Sequence, residues 1–137
     1  MTRLPIEVYV VVRRGEEYLV VHRTPHAGAY WHGIAGGVEE GETPAAAAAR
    51  ELREETGLDA TPNDLETMFA YSLENEPEYR ARFPGVDEIV VHTFIVDVPG
   101  GWEPALNDEH DAYRWCSRDD AVELLHWPEP KALMRGL

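Results

Sequence analysis

Residues Gly36 to Leu58 read GGVEEGETPAAAAARELREETGL, and this stretch decides the fold. Thr43 is a suitable N-cap, Pro44 suits the first helical position, and Gly57 stands where a glycine stop belongs. The spacing therefore predicts a helix from Thr43 to Thr56. At about 100° per residue, Glu51, Glu54 and Glu55 share one arc of it. Ala45, Ala48, Ala49 and Leu52 form an adjacent arc that can pack on a sheet, and Ala47 leaves space near the carboxylates. Three like charges so close repel one another. A divalent cation would turn that repulsion into ligation, because Mg²⁺ prefers carboxylate and water oxygens. Arg50 flanks the arc and can orient or partly neutralise it. Gly36, Gly37 and Gly41 read as a tight strand–loop–helix passage with unusual dihedrals, which also lets backbone carbonyls reach a metal. The residues alone fit a solvated acidic helix face equally well.

Working outward, Ile6 to Val12 is rich in β-branched residues and reads as a buried strand, one that could pair across a dimer. Arg13, Arg14 and Gly15 read as a turn, and Tyr18 to His22 as the return strand. Thr24 to Ala29 reads as a loop, and Trp31 to Val38 as a short apolar run broken by glycines. Beyond the helix, Leu65 to Leu73 and Glu88 to Val98 are expected strands. Glu74 to Gly85 between them, polar and with two prolines, reads as a loop. Ala112 to Cys116 is a further short strand. Ser117 caps a helix to about Leu125, and a last short helix follows Pro130. No repeat, linker or second domain is evident, so residues 1–137 read as one domain.

The chain has 137 residues and a formal net charge of −14. That charge argues against wrapping a nucleic-acid polymer, whose phosphates it would repel. It leaves room for a small phosphorylated substrate met by local cations. Cys116 is the only cysteine, so no intrachain disulfide framework exists, and it reads as a buried core thiol. No apolar stretch approaches a membrane span, and a cytoplasmic protein is expected. Whether it is a monomer or a homodimer is left open.

The Gly36–Leu58 segment resembles the full Nudix box, G-x5-E-x7-R-E-U-x-E-E-x-G-U with U aliphatic. Gly36, Glu42, Arg50, Glu51, Leu52, Glu54, Glu55, Gly57 and Leu58 occupy its fixed positions. The resemblance implies a Nudix hydrolase: an α/β fold, built as an α/β/α sandwich around a central mixed sheet, that hydrolyses a diphosphate bond. It implies Glu51, Glu54 and Glu55 as ligands of Mg²⁺, with Mn²⁺ possible, joined by a backbone carbonyl near Ala35 or Gly36. It implies Arg50 as the residue that holds a glutamate in place, and Glu42 as structural. Family members often recruit a further glutamate, and Glu109 is the candidate. Glu109, His110, Tyr113 and Trp115 fit the E-H-x-x-Y-x-W-like run that many of them carry. The catalytic set is then Arg50, Glu51, Glu54 and Glu109, with Glu51 and Glu109 both open as the base.

For the substrate, Tyr30-Trp31-His32, the GVEEGET run and Arg80 to Val86 resemble the bacterial dihydroneopterin triphosphate pyrophosphatases, also described as dATP pyrophosphohydrolases. The resemblance implies a nucleoside triphosphate-like, small-molecule substrate. Arg80 and Arg82, in the expected loop, could grip a polyphosphate. Arg23 is a similar candidate, and Trp31 could stack on a pterin or purine ring. Trp102 and Trp127 read as packing residues. Oxidised nucleotides, dinucleoside polyphosphates and nucleotide sugars stay open as substrates. An isopentenyl-diphosphate isomerase ranks low, because Cys116 is the only cysteine. So does a non-catalytic nucleotide sensor, because every box glutamate and the arginine are present.

Overall fold

In a computed structural model, which describes residues 2–137, the apolar N-terminal run is the central strand. This strand, β1, spans Arg3–Arg14. Val8, Val10 and Val12 face one core cluster, Tyr9 and Val11 the other. Burial on both faces explains why the run is apolar without alternation. The strand continues past the expected turn, because Arg13 and Arg14 pair with Tyr18 and Glu17 of β2 (Glu17–Arg23). The reversal falls at Gly15, where φ is +62°.

The other strands are β3 (Trp31–His32), β4 (Ile34–Glu39), β5 (Asn63–Ser72), β6 (Glu88–Asp97) and β7 (His110–Cys116). They join β1 and β2 in one seven-stranded sheet of order β3-β2-β1-β6-β5, with β4 also on β1 and β7 on β2. β1 and β6 run parallel and the other pairs antiparallel, so the sheet is mixed. The expectation that β1 could pair across a dimer is corrected. Its hydrogen-bonding edges are taken by β2 and β4 on one side and β6 on the other.

Helix α1 (Pro44–Thr56) starts where expected: the Thr43 hydroxyl accepts the Ala46 N–H at 3.1 Å. It ends at Gly57, whose φ of +79° suits a left-handed cap. Its buried stripe is Ala47, Ala48 and Leu52, all fully buried. The expected arc was therefore rotated: Ala45 is exposed, and Ala47 packs in the core instead of leaving space near the carboxylates. Burying Leu52 alone contributes about 1.5–3 kcal/mol. On the opposite face, α3 (Arg118–Leu124) and α4 (Pro128–Arg135) cover the second cluster, which includes Ala121, Leu125 and Met134. This is the expected α/β class, with helices on both faces of a mixed sheet.

The segment expected as a loop before β6 contains a helix, α2 (Pro77–Arg82). Pro77 stands in its first turn with Glu78, and Arg80 and Arg82 in its last, an order the helix dipole favours. Cys116 is a buried free thiol, raised in pKa by burial. Trp102 packs on the first core cluster as expected. Trp127 packs edge-on against Tyr30 and His126, although it is 40% exposed and lies outside the core clusters. Among the described residues, no helix is long and apolar enough to cross a membrane.

Candidate functional site

The passage from β4 into α1 builds the site. Gly41 (φ +81°) makes the turn, and Glu42 folds back so that its carboxylate accepts the Glu39 N–H at 3.1 Å. Arg50 then binds Glu42 through two parallel bonds of 2.8 and 3.0 Å. Its remaining donors reach Glu51 at 2.9 Å, Glu54 at 3.4 Å and the Gly37 carbonyl at 2.9 Å. Only a planar guanidinium offers this fork, and a lysine would lose most of these bonds. Arg50 holds the Glu42 carboxyl below its usual range, a structural role for Glu42.

The glycines of β4 are there for space. Gly36 and Gly37 lie in an extended strand, and neither has positive φ, so the reading of unusual dihedrals is corrected for both. Successive strand residues point to opposite faces. A Cβ on Gly36 would fall inside the Glu51 carboxylate, and one on Gly37 inside the Arg3 side chain. Glu51 thus lies flat against the strand backbone.

The three α1 carboxylates differ in environment. The Glu51, Glu54 and Glu55 side chains are 13%, 53% and 1% exposed. Neither oxygen of Glu55 has a hydrogen-bond partner, and one faces His110 Nε2 at 3.5 Å. Burial pushes the Glu55 carboxyl well up; so does its closeness to Glu51, with which it can share a hydrogen bond only if one of the two is protonated, and the Glu51 and Glu109 charges add to it. Burial also raises Glu51, against the pull of Arg50. His110 is pushed down to about 4 by burial and by Arg23. Orphaned, buried carboxylate oxygens beside a second carboxylate are the donor set that a hard divalent cation satisfies. As the side chains stand, no three acidic, histidine or cysteine groups among the described residues converge closely enough to hold one.

These shifts set a pH dependence. A carboxyl raised in the folded state stabilises the fold below its unfolded pKa, and loses that contribution as pH rises through its folded value. Without divalent cations, the Glu51–Glu55 pair is expected to make the protein less stable as pH climbs above 4.5. Glu42 and Asp97, both held low by arginines, have the opposite sign and weaken the fold only at acid pH. Glu55→Gln should flatten the melting profile above about pH 4.5, with a gain of a few degrees at the alkaline end. A melting profile as steep as that of the wild type would exclude Glu55 as its source.

The other sequence candidates divide. Arg23 comes to the site at the end of β2, opposite His110 of β7, and its charge lowers Glu55. Its Nε donates to the Ala27 carbonyl at 3.0 Å, and it lies over the Tyr30 ring at 5.6 Å. Glu109 is exposed, and its carbonyl accepts the Thr24 N–H at 3.0 Å. Trp31 is half-buried between His22 and Arg114. Arg80 and Arg82 are exposed on α2, and among the described residues no hydrogen bond or ion pair joins them to the α1 carboxylates. Sequence reasoning passed over Arg3 and Glu7, which are ion-paired on β1 beside Gly37. Burial raises the Glu7 carboxyl, while Tyr71 and Arg3 oppose it. The available signal was one acid inside a valine-rich strand.

The family model described as NUDIX domain matches residues 3–137. A Myxococcus xanthus octanoyltransferase is 39% identical over 123 residues, which cover 88% of this chain and 32% of that protein. The dihydroneopterin triphosphate diphosphatase of Haemophilus influenzae is 31% identical over 99 residues, 69% of this chain and 62% of that one. The chain therefore spans about a third of the first relative and less than two thirds of the second. In fold, it superposes on the solved Escherichia coli dihydroneopterin triphosphate pyrophosphohydrolase with a TM-score of 0.84 at 24% identity, covering 100% of this chain and 97% of that one. Because the family model runs along nearly the whole chain and includes the strand–turn–helix just described, the chain belongs to the NUDIX family.

Proposed function

We propose that this protein is a cytoplasmic, divalent-cation-dependent pyrophosphohydrolase of a nucleoside triphosphate-like small molecule, dihydroneopterin triphosphate or dATP, releasing pyrophosphate. The observation that carries the reading is the buried, unpartnered Glu55 carboxylate next to Glu51 and the Arg50 fork. The names of the similar proteins support the substrate class.

Glu51, Glu54, Glu55 and the backbone carbonyl near Gly36 would hold Mg²⁺ or Mn²⁺, which in this role neutralises phosphate oxygens and makes water acidic enough to attack. The chain's own residues do the rest. Arg50 keeps Glu51 aimed. Arg23, beside Glu55, offers a cation to the phosphate chain, with Arg80 and Arg82 on α2 as further candidates. Trp31 offers a ring face for the base. Glu109 or Glu51 takes the water proton as the water oxygen bonds phosphorus. The bridging P–O bond breaks, and its electron pair leaves with pyrophosphate.

A product-resolved screen with Mg²⁺, run beside Glu54→Gln, tests this. The panel holds dihydroneopterin triphosphate, the deoxynucleoside triphosphates, an oxidised guanine nucleotide, diadenosine polyphosphates and nucleotide sugars. Pyrophosphate release from dihydroneopterin triphosphate or dATP is expected, with a loss of about a hundredfold or more in the variant. A preference for another member would keep the hydrolase and discard the pterin and dATP reading. Binding without turnover of any member, with either metal, would make the protein a nucleotide sensor.

A further inference from the structure

Asn107 stands two residues before Glu109, in the segment that leads into β7. In the structure its side-chain carbonyl oxygen accepts two bonds. One comes from the Glu109 N–H at 3.2 Å, the other from His110 Nδ1 at 3.0 Å. Its backbone carbonyl accepts the His110 N–H at 3.3 Å. The double acceptance fixes the chemistry of the ring. An oxygen that receives a backbone N–H is the amide oxygen and not the nitrogen, so the His110 nitrogen facing it must be the one that carries hydrogen. His110 Nε2, which carries no hydrogen in the neutral ring, is thereby turned the other way and packs against Glu55 at 3.5 Å without a hydrogen bond, in a pocket where both side chains are closed to solvent. The same loop is tied to β2 by the bond from the Thr24 N–H to the Glu109 carbonyl. Asn107 thus sets two things at once: the direction of the loop acid Glu109, and the ring against which the Glu55 carboxylate rests.

We propose that Asn107 is a positioning residue of the cation site, acting through His110 on Glu55 and through the backbone on Glu109. This rests on the reading of Glu55 as a cation ligand. Groups that orient metal ligands from behind typically change metal affinity or activity by about 10–100-fold when removed. Asn107→Ala deletes the shared acceptor. Asn107→Asp keeps an oxygen at the same reach for both donors.

The test is Mn²⁺ binding by the whole chain, followed by electron paramagnetic resonance of the free ion. It is read beside melting temperature and the kcat and KM of the fastest substrate in the panel. Asn107→Ala is expected to bind Mn²⁺ about tenfold more weakly and to lose about tenfold in kcat, with KM within about twofold. Asn107→Asp should stay within about threefold of wild type in both. If the alanine variant does not fold, Asn107→Thr replaces it, since its hydroxyl is too short to reach both donors. Unchanged Mn²⁺ affinity and kcat in the alanine or threonine variant would overturn the proposal. So would an aspartate variant as impaired as the alanine one, because the shared oxygen would then not be the cause. A wild-type chain that binds no Mn²⁺ would instead overturn the cation site itself, a result seen before any variant is made.

Discussion

Glu51→Gln is expected to lower kcat by about two to three orders of magnitude while the protein stays folded. Glu51 links the Arg50 fork, the β4 backbone and Glu55. It accepts from Arg50 at 2.9 Å, lies against Gly36 and stands next to Glu55. The amide has the same size and can still accept from Arg50. What it lacks is the negative charge that a cation needs, and the basicity to take a proton from water. Stability should not fall with activity. Burial already raises the Glu51 carboxyl, so the charged form is the costly one in the fold, and a neutral side chain relieves that cost. Steady-state kinetics at saturating Mg²⁺, run with thermal melting, separate the two effects. A loss of less than about fivefold would remove Glu51 from the machinery and leave Glu109 as the base. The same measurement on Glu109→Gln divides the roles: a base gives a large kcat loss at unchanged Mn²⁺ affinity, a ligand loses both.

Much of this site was legible because its parts are close in sequence. Thr43, Pro44 and Gly57 bound α1 by local chemistry alone, and both helix ends fall where those residues put them. The arc shared by Glu51, Glu54 and Glu55 follows from helical spacing. Which of the three is buried does not, because that depends on how α1 rolls on the sheet. The roll brings Ala47 inward and leaves Ala45 out, and it carries Glu55 under β7 while Glu54 stays in solvent. His110 was visible as part of a pattern, yet its contact with Glu55 requires the pairing of Arg23 with His110 across β2 and β7. Arg80 and Arg82 were misplaced for a different reason. Two prolines and a run of polar residues suggested a loop, whereas Pro77 opens a helix and Tyr79 and Phe83 anchor it to the second core cluster. Local composition decided against a helix that tertiary contacts then made.

The glycines of the β4–α1 passage offer the clearest separation of chemistry from stability. Gly36→Ala is expected to reduce kcat by about a hundredfold and to weaken Mn²⁺ binding, while melting moves by only a few degrees. The backbone at Gly36 is an ordinary strand paired with Val8, so alanine introduces no dihedral strain there. The new methyl would collide with the Glu51 carboxylate, the far end of a flexible side chain. Glu51 can swing away at little cost to the fold, but it then leaves the position that Arg50 and Glu55 define for it. Two neighbours serve as controls with opposite expectations. At Gly33 the methyl would meet the ring of Tyr9, which is 2% exposed and cannot retreat, so stability should fall. At Gly41 there is open space, but φ is +81°, and alanine there costs about 1–2 kcal/mol of backbone strain without touching a carboxylate. If Gly36→Ala melted as low as Gly33→Ala and kept its turnover, the glycine would be serving the packing of β4. Loss of turnover in Gly36→Ala alone would mean that the gap above this strand exists to seat Glu51.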